Sequence, residues 1–133
     1  MICDTSFFIA LDSEVPAAQR LARENEQAGV PQRVPTMTIL QLYASVGLGS
    51  QPNENVRKYE ELVGNLPVVP MDENIARRAG VLLGIHRGSD GKPNLGPGDA
   101  VIAATGLVFN EPVITADTDD FESVTGLQVV TWA

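Results

Sequence analysis

The chain has 133 residues, 44% of them apolar, and this length and composition predict one domain with its own core. No apolar run approaches the roughly 18 residues of a membrane span, and no signal peptide opens the chain, so we expect a cytoplasmic protein without a membrane segment. The formal charge of −8, from 17 acidic and 9 basic residues, argues against nucleic-acid binding through a basic patch, although a bound cation could supply positive charge locally.

Short apolar strands alternate with helices along the chain. The first half predicts a strand at 1–3, an apolar segment at 5–11 that is too short and apolar for an exposed helix, a helix at 17–28, a strand around 34–37 and helices at 38–47 and 53–66. The second half predicts a strand at 68–69, a helix capped by Asp72, an ordered glycine-rich loop or lid at 88–98, a helix at 99–107, a strand at 113–115, an acidic turn at 117–121 and a strand at 127–130. This alternation predicts an α/β fold with a central, mostly parallel sheet and helices on both faces.

Aspartates follow the predicted strands at the edge where functional groups of such sheets collect. Asp4 follows the first strand, Asp117 and Asp120 follow the strand at 113–115, and Asp99 begins a helix after the glycine-rich loop. Carboxylates gathered in this way repel one another unless protons or a cation neutralise them. Oxygen ligands of this kind suit Mg²⁺ or Mn²⁺, so the four aspartates are candidate metal ligands.

Each aspartate also has a structural interpretation. Asp4 could be a turn residue, Asp99 a helix N-cap, and the acids at 117–120 a solvated loop. The remaining reactive side chains favour structural roles: Cys3 is interpreted as a buried small hydrophobe, and the single histidine, His86, as a partly exposed residue at a helix C-terminus.

Four segments together resemble the PIN-domain family, and within it the VapC-type toxins of toxin–antitoxin pairs. They read DTSFFI at 4–9, TILQLY at 38–43, DAVIAAT at 99–105 and TADTDDF at 115–121, and the resemblance extends over essentially the whole chain. It implies a single PIN-like domain over 1–133 and a metal-dependent endoribonuclease that uses Mg²⁺ or Mn²⁺ to cleave RNA. It further implies a homodimer silenced by a small antitoxin protein.

The resemblance assigns roles to individual residues. Asp4 takes the place of the first family acid and Asp99 the third, while Asp117 and Asp120 share the fourth position. Ser6 and Thr115 match the small hydroxyl residues that orient these carboxylates.

Gln41 departs from the family pattern, which has glutamate as its second acid at this position. An amide carries no negative charge and cannot accept a proton as a carboxylate does. The site could work with three acids, be weakened, or be retired from catalysis, and the amide could also be an engineered inactivation. A structural account is a capping box, in which Thr38 and Gln41 cap the start of their helix.

Three hypotheses follow from these residues. The first is a metal-dependent toxin ribonuclease. The second is a PIN-fold binding module that pairs with an antitoxin or recognises RNA without cutting it. A haloacid-dehalogenase-like phosphatase ranks a distant third, because that family requires Asp-x-Asp and this chain has Ser6 after Asp4-Thr5.

Overall fold

The computed structural model describes residues 1–49 and 52–132. Its elements, in chain order, are β1 (Ile2–Cys3), α1 (Thr5–Asp12), α2 (Pro16–Gln27), β2 (Val34–Pro35), α3 (Thr36–Leu48), α4 (Pro52–Val63), β3 (Val68–Val69), α5 (Glu73–Arg87), α6 (Pro97–Phe109), β4 (Val113–Ile114), α7 (Thr118–Glu122) and β5 (Val129–Val130). Within those two ranges, no helix is long and apolar enough to cross a membrane.

All strand pairs of the sheet are parallel, as the sequence predicts. β1 pairs with β4 and β4 with β5, while β2 pairs with β3. A parallel bridge between Ile2 and Arg33 connects the two groups, so the strands follow the order β3-β2-β1-β4-β5. The chain reverses its direction of winding between β1 and β4, and the carboxyl ends of those two strands therefore flank a topological switch point.

The two faces of the sheet carry separate parts of the core. Ile2 and Val113 pack against α5 and α6, whereas the next residues along, Cys3 and Ile114, pack against α1 to α4. This alternation is the period-two geometry of a strand, and it confirms the prediction of helices on both faces. The apolar segment after Asp4 is α1, a helix whose Phe7 and Phe8 are buried.

Several predicted helix signals are confirmed. Pro16 begins α2, and the helix is followed by Gly29 with a φ of +69°, a conformation that glycine adopts without strain. The Asp72 side chain accepts a hydrogen bond of 2.9 Å from the backbone N–H of Ile75 and so caps α5.

Two predicted helix starts were wrong. Helix α3 begins at Thr36, which places Met37 in the helix and Thr38 in its first turn. The capping box does not form, because Thr38 Oγ1 donates a 2.9 Å hydrogen bond to the carbonyl of Cys3 on the neighbouring strand. Asp99 is not the N-cap of α6 either: Gly96 holds that position, and Asp99 is the third helical residue.

The segments on either side of α6 differ in how they compare with the predictions, which were an acidic turn after α6 and an ordered loop or lid before it. The predicted acidic turn contains a short helix, α7. His86 is buried rather than partly exposed, and its Nδ1 donates a 3.0 Å hydrogen bond to the carbonyl of Pro93. Lys92 donates to the carbonyl of Ser123, and Leu95 is buried. The glycine-rich stretch is therefore an ordered loop fixed to its surroundings.

Candidate active site

Asp4 lies at the carboxyl end of β1, directly before α1, and is only 3% exposed. Its Oδ2 accepts hydrogen bonds from Ser6 Oγ at 2.9 Å and from Thr115 Oγ1 at 2.7 Å. A buried carboxylate is costly unless donors of this kind compensate for lost hydration. The two hydroxyls thus stabilise Asp4 in its charged form and fix the direction of its side chain.

The same hydroxyls connect β1 to the segment that follows β4. Ser6 Oγ accepts from the backbone N–H of Ala116 at 3.0 Å, and Thr115 Oγ1 accepts from the backbone N–H of Asp117 at 2.9 Å. Because both hydroxyls also bond Asp4, the network sets the position of Asp117 relative to Asp4. This is the arrangement expected of residues that orient carboxylates.

Asp99 reaches the same edge from the first turn of α6. Every residue from Ala100 to Gly106 is buried, and the small side chains in this stretch let the helix lie close to the sheet. The pKa of Asp99 rises from 3.8 to about 6, first because the carboxyl is half-buried and then because Asp4, Asp117 and Asp120 are charged nearby. Asp99 is therefore within electrostatic range of the other three aspartates.

Asp117 and Asp120 belong to the segment that follows β4. Asp117 precedes α7 and Asp120 lies within it, and both line a depression of about 240 Å³ together with Ala116, Thr118 and Asp119. Burial raises the pKa of Asp117, with further contributions from the charges of Asp4 and Asp120. The structure thus brings the four predicted aspartates into one electrostatically coupled group.

The donor chemistry of this group fits a hard divalent cation. The four side chains offer carboxylate oxygens, and the charges that raise the Asp99 pKa would be offset by a cation as well as by a proton. Among residues 1–49 and 52–132, however, no three histidine, cysteine, aspartate or glutamate side chains form a group that could hold a metal ion as they stand. The aspartates are nevertheless a candidate site, since Mg²⁺ takes only one or two carboxylates directly and keeps several waters.

Gln41 lies between the chain segments that carry Asp4 and Asp99. Its Oε1 accepts a hydrogen bond from Thr5 Oγ1, next to Asp4, and its Nε2 lies against Gly98, next to Asp99. Sequence reasoning missed Thr5 and Gly98. The available signal was their position, since each is the immediate neighbour of a predicted acid.

Cys3 takes no part in this chemistry. It is fully buried, and burial raises the pKa of its thiol to about 12. A thiol with so high a pKa is protonated at neutral pH and is a poor nucleophile, which confirms its interpretation as a core residue.

Comparisons with known proteins agree with this architecture. The family model of the PIN domain matches residues 1–127. The chain is 30% identical over 129 residues to Ribonuclease VapC5 of Mycobacterium tuberculosis, an overlap that covers 94% of this chain and 87% of that protein.

Solved structures show the same fold. A chain of the Rickettsia felis VapBC2 structure, bound to a promoter DNA fragment, superposes with a TM-score of 0.86 at 15% identity, covering 99% of this chain and 98% of that one. A chain of DNA-bound VapBC from Salmonella typhimurium gives a TM-score of 0.85 at 20% identity, with 99% and 97% covered. The match over residues 1–127 and the VapC5 relative decide the classification: this chain belongs to the PIN-domain family, within its VapC-type group.

Proposed function

We propose that this protein is a metal-dependent endoribonuclease that serves as the toxin of a type II toxin–antitoxin pair. The observation that carries the proposal is the group of Asp4, Asp99, Asp117 and Asp120 at the topological switch point, with the Asp99 pKa raised first by burial and then by its acidic neighbours. Ribonuclease VapC5, the 30% identical relative, supports RNA as the substrate. The overall charge of −8 supports the need for a cation where the phosphate binds.

The aspartates would hold Mg²⁺ or Mn²⁺, which when bound supplies an activated water and stabilises the charge of the cleaved phosphodiester. Asp4 would bind with one fixed geometry, because Ser6 and Thr115 already orient its carboxylate. Asp99 would bind as a carboxylate, because a bound cation offsets the neighbouring charges that raise its pKa in the metal-free protein. Asp117 and Asp120 border the open depression and would approach the substrate side.

The test is cleavage of a mixed RNA pool in Mg²⁺ or Mn²⁺ by the unmodified protein, Asp99→Asn and a matched control, Asp90→Asn, on the loop before α6. We expect cleavage that EDTA and Asp99→Asn abolish and Asp90→Asn preserves. Cleavage that persists in EDTA or in Asp99→Asn would reject the metal-dependent mechanism.

Gln41 favours a second candidate function, a PIN-fold binding module that does not cut RNA. Because the amide adds no negative charge to the site, the metal could be held too weakly for turnover. If the unmodified protein cleaves no RNA but Gln41→Glu does, the fold is intact and the site lacks only the carboxylate. That result would favour this candidate.

The partners we propose are a small antitoxin protein and a second copy of this chain. Structures with the same fold include a toxin–antitoxin complex and a member of the VapBC family of toxin–antitoxin systems, which supports the antitoxin. Large apolar side chains left exposed on α1 and α3, including Ile9, Leu40 and Leu48, also support a protein interface. Light scattering of the purified protein tests the homodimer, and a monomer at micromolar concentration would reject it.

A further inference from the structure

Gln41 contacts the immediate neighbours of two site aspartates. Its Oε1 accepts a hydrogen bond from Thr5, the residue after Asp4 and the first residue of α1. Its Nε2 lies directly over Gly98, the residue before Asp99 in the first turn of α6. One amide on α3 therefore bridges the two segments that present Asp4 and Asp99.

The contact between Gln41 and Gly98 is possible only because glycine has no side chain. A Cβ at position 98 would overlap Gln41 Nε2 and would approach Gln41 Cδ to 3.4 Å and Met37 Cγ to 3.8 Å. The overlapping atom is the far end of a flexible side chain, so an alanine here would displace the amide rather than the helix. The displaced amide would no longer be in position to accept the hydrogen bond from Thr5.

We propose that Gln41 is a positioning residue that sets the spacing of Asp4 and Asp99 for a divalent metal without being a ligand itself. This inference rests on the proposed function, because it concerns the same metal site. The amide suits such a role, since it accepts from Thr5, fills the space over Gly98 and adds no charge to an already crowded group of carboxylates.

The experiment measures Mn²⁺ affinity by calorimetry for the unmodified protein, Gln41→Ala, Gly98→Ala and the double variant. Residues that orient metal ligands typically contribute about 10- to 100-fold to affinity, so we expect each single variant to bind Mn²⁺ at least about 10-fold more weakly. The double variant should lose no more than either single one, because both changes remove the same bridge.

Thermal unfolding in EDTA separates positioning from general stability. Gly98→Ala replaces a helical glycine and should leave the melting temperature unchanged or higher, despite its weaker Mn²⁺ binding. The matched control is Gly80→Ala on α5, where an added Cβ meets no atom within 4 Å, and it should bind Mn²⁺ as the unmodified protein does.

Unchanged Mn²⁺ affinity in Gly98→Ala or Gln41→Ala would overturn the inference, as would an equal loss in Gly80→Ala. If the unmodified protein binds no Mn²⁺, the inference falls together with the proposed metal site. Mn²⁺ binding with the expected losses but without RNA cleavage would contradict the proposed nuclease and still support the positioning role.

Discussion

At the scale of residues, Asp4 shows how neighbouring side chains fix the position of a carboxylate in the site. It is nearly inaccessible to solvent, yet two hydroxyls compensate its charge, and both belong to residues fixed by further backbone hydrogen bonds. Such an arrangement reduces the freedom of the carboxylate before any ligand binds. Loss of one hydroxyl should therefore affect both stability and metal binding.

Thr115→Val tests this network. It removes a donor to Asp4 and an acceptor for the Asp117 N–H in nearly constant volume, so we expect a loss of about 1–3 kcal/mol in the free energy of unfolding and weaker Mn²⁺ binding. Thr105→Val is the control, since Thr105 Oγ1 donates to the carbonyl of Val101 inside α6 and should cost about 0.5–1.5 kcal/mol with no change in metal affinity. Denaturant unfolding measures the stability of each variant, and calorimetry measures its Mn²⁺ affinity. A Thr115→Val variant that binds Mn²⁺ as tightly as the unmodified protein would contradict the role of this network in metal binding.

Asp99 gives the stability of the protein a defined pH dependence in EDTA. Its folded-state pKa is raised to about 6 from 3.8, so between these values the folded protein binds more protons than the unfolded chain, and stability falls as pH rises through this window. Asp99→Asn removes the penalty. Solvent screening of the half-exposed carboxyl reduces this penalty to about 1 kcal/mol. We therefore expect the variant to melt about 2–4 °C higher than the unmodified protein at pH 7.5, with the difference vanishing below the unfolded-state pKa of 3.8. A variant that melts lower at pH 7.5 would show that the Asp99 charge is stabilising instead.

At the scale of elements, α6 carries Asp99 in its first turn. The close contact between this helix and the sheet depends on Gly106. A Cβ there would lie 2.8 Å from Leu127 Cδ1, 3.0 Å from Val113 Cγ2 and 3.1 Å from the carbonyl oxygen of Glu111. An alanine could fit only if Leu127 and Val113 shift their side chains or the helix moves away from β4. A helix shift would also move Asp99 relative to the aspartates beyond β4.

Gly106→Ala should accordingly destabilise the protein by about 1–3 kcal/mol, as overpacking does, and reduce Mn²⁺ affinity. Gly80→Ala on α5, where the added methyl meets open space, should instead stabilise by up to about 1 kcal/mol. Chemical denaturation of the two variants makes the comparison. Equal stabilities would mean that α6 does not depend on close contact at Gly106.

The helices and strands were largely predictable because the spacing of apolar residues and the residues that begin or end helices are local features of the sequence. Asp72 and Gly29 mark the ends of α5 and α2 in the sequence, and both signals hold in the structure. The capping box at the start of α3 was mispredicted because Thr38 donates its hydrogen bond to Cys3, which is 35 residues away. Likewise, the burial of His86 depends on a contact with the Pro93 carbonyl in a loop of irregular backbone, which no local pattern encodes.

The site was predictable to a similar degree. The four aspartates could be grouped because the carboxyl ends of parallel strands share one edge. The bridge from Thr5 through Gln41 to Gly98 could not, since it joins three segments by side-chain packing alone. Gln41 stood out in the sequence only as a departure from the family pattern, and its contacts emerged from the structure.

At the scale of the whole molecule, the charge of −8 and the raised pKa values of Asp99 and Asp117 predict that divalent cations stabilise the fold. Binding to the folded state at 100 times the dissociation constant adds about 2.7 kcal/mol. We expect Mn²⁺ to raise the melting temperature of the unmodified protein and to have much less effect on Asp4→Asn. KCl at matched ionic strength is the control for simple screening, and an equal rise with KCl would remove the argument for a specific site.

The most direct measurement is anomalous diffraction from crystals of the unmodified protein grown with Mn²⁺. We expect an ordered peak about 2 Å from carboxylate oxygens of one or two of the four aspartates, with waters completing the coordination. Gln41 should lie beside the ion but outside its coordination sphere. No ordered peak at this edge of the sheet, or a peak ligated by Gln41 Oε1, would contradict it.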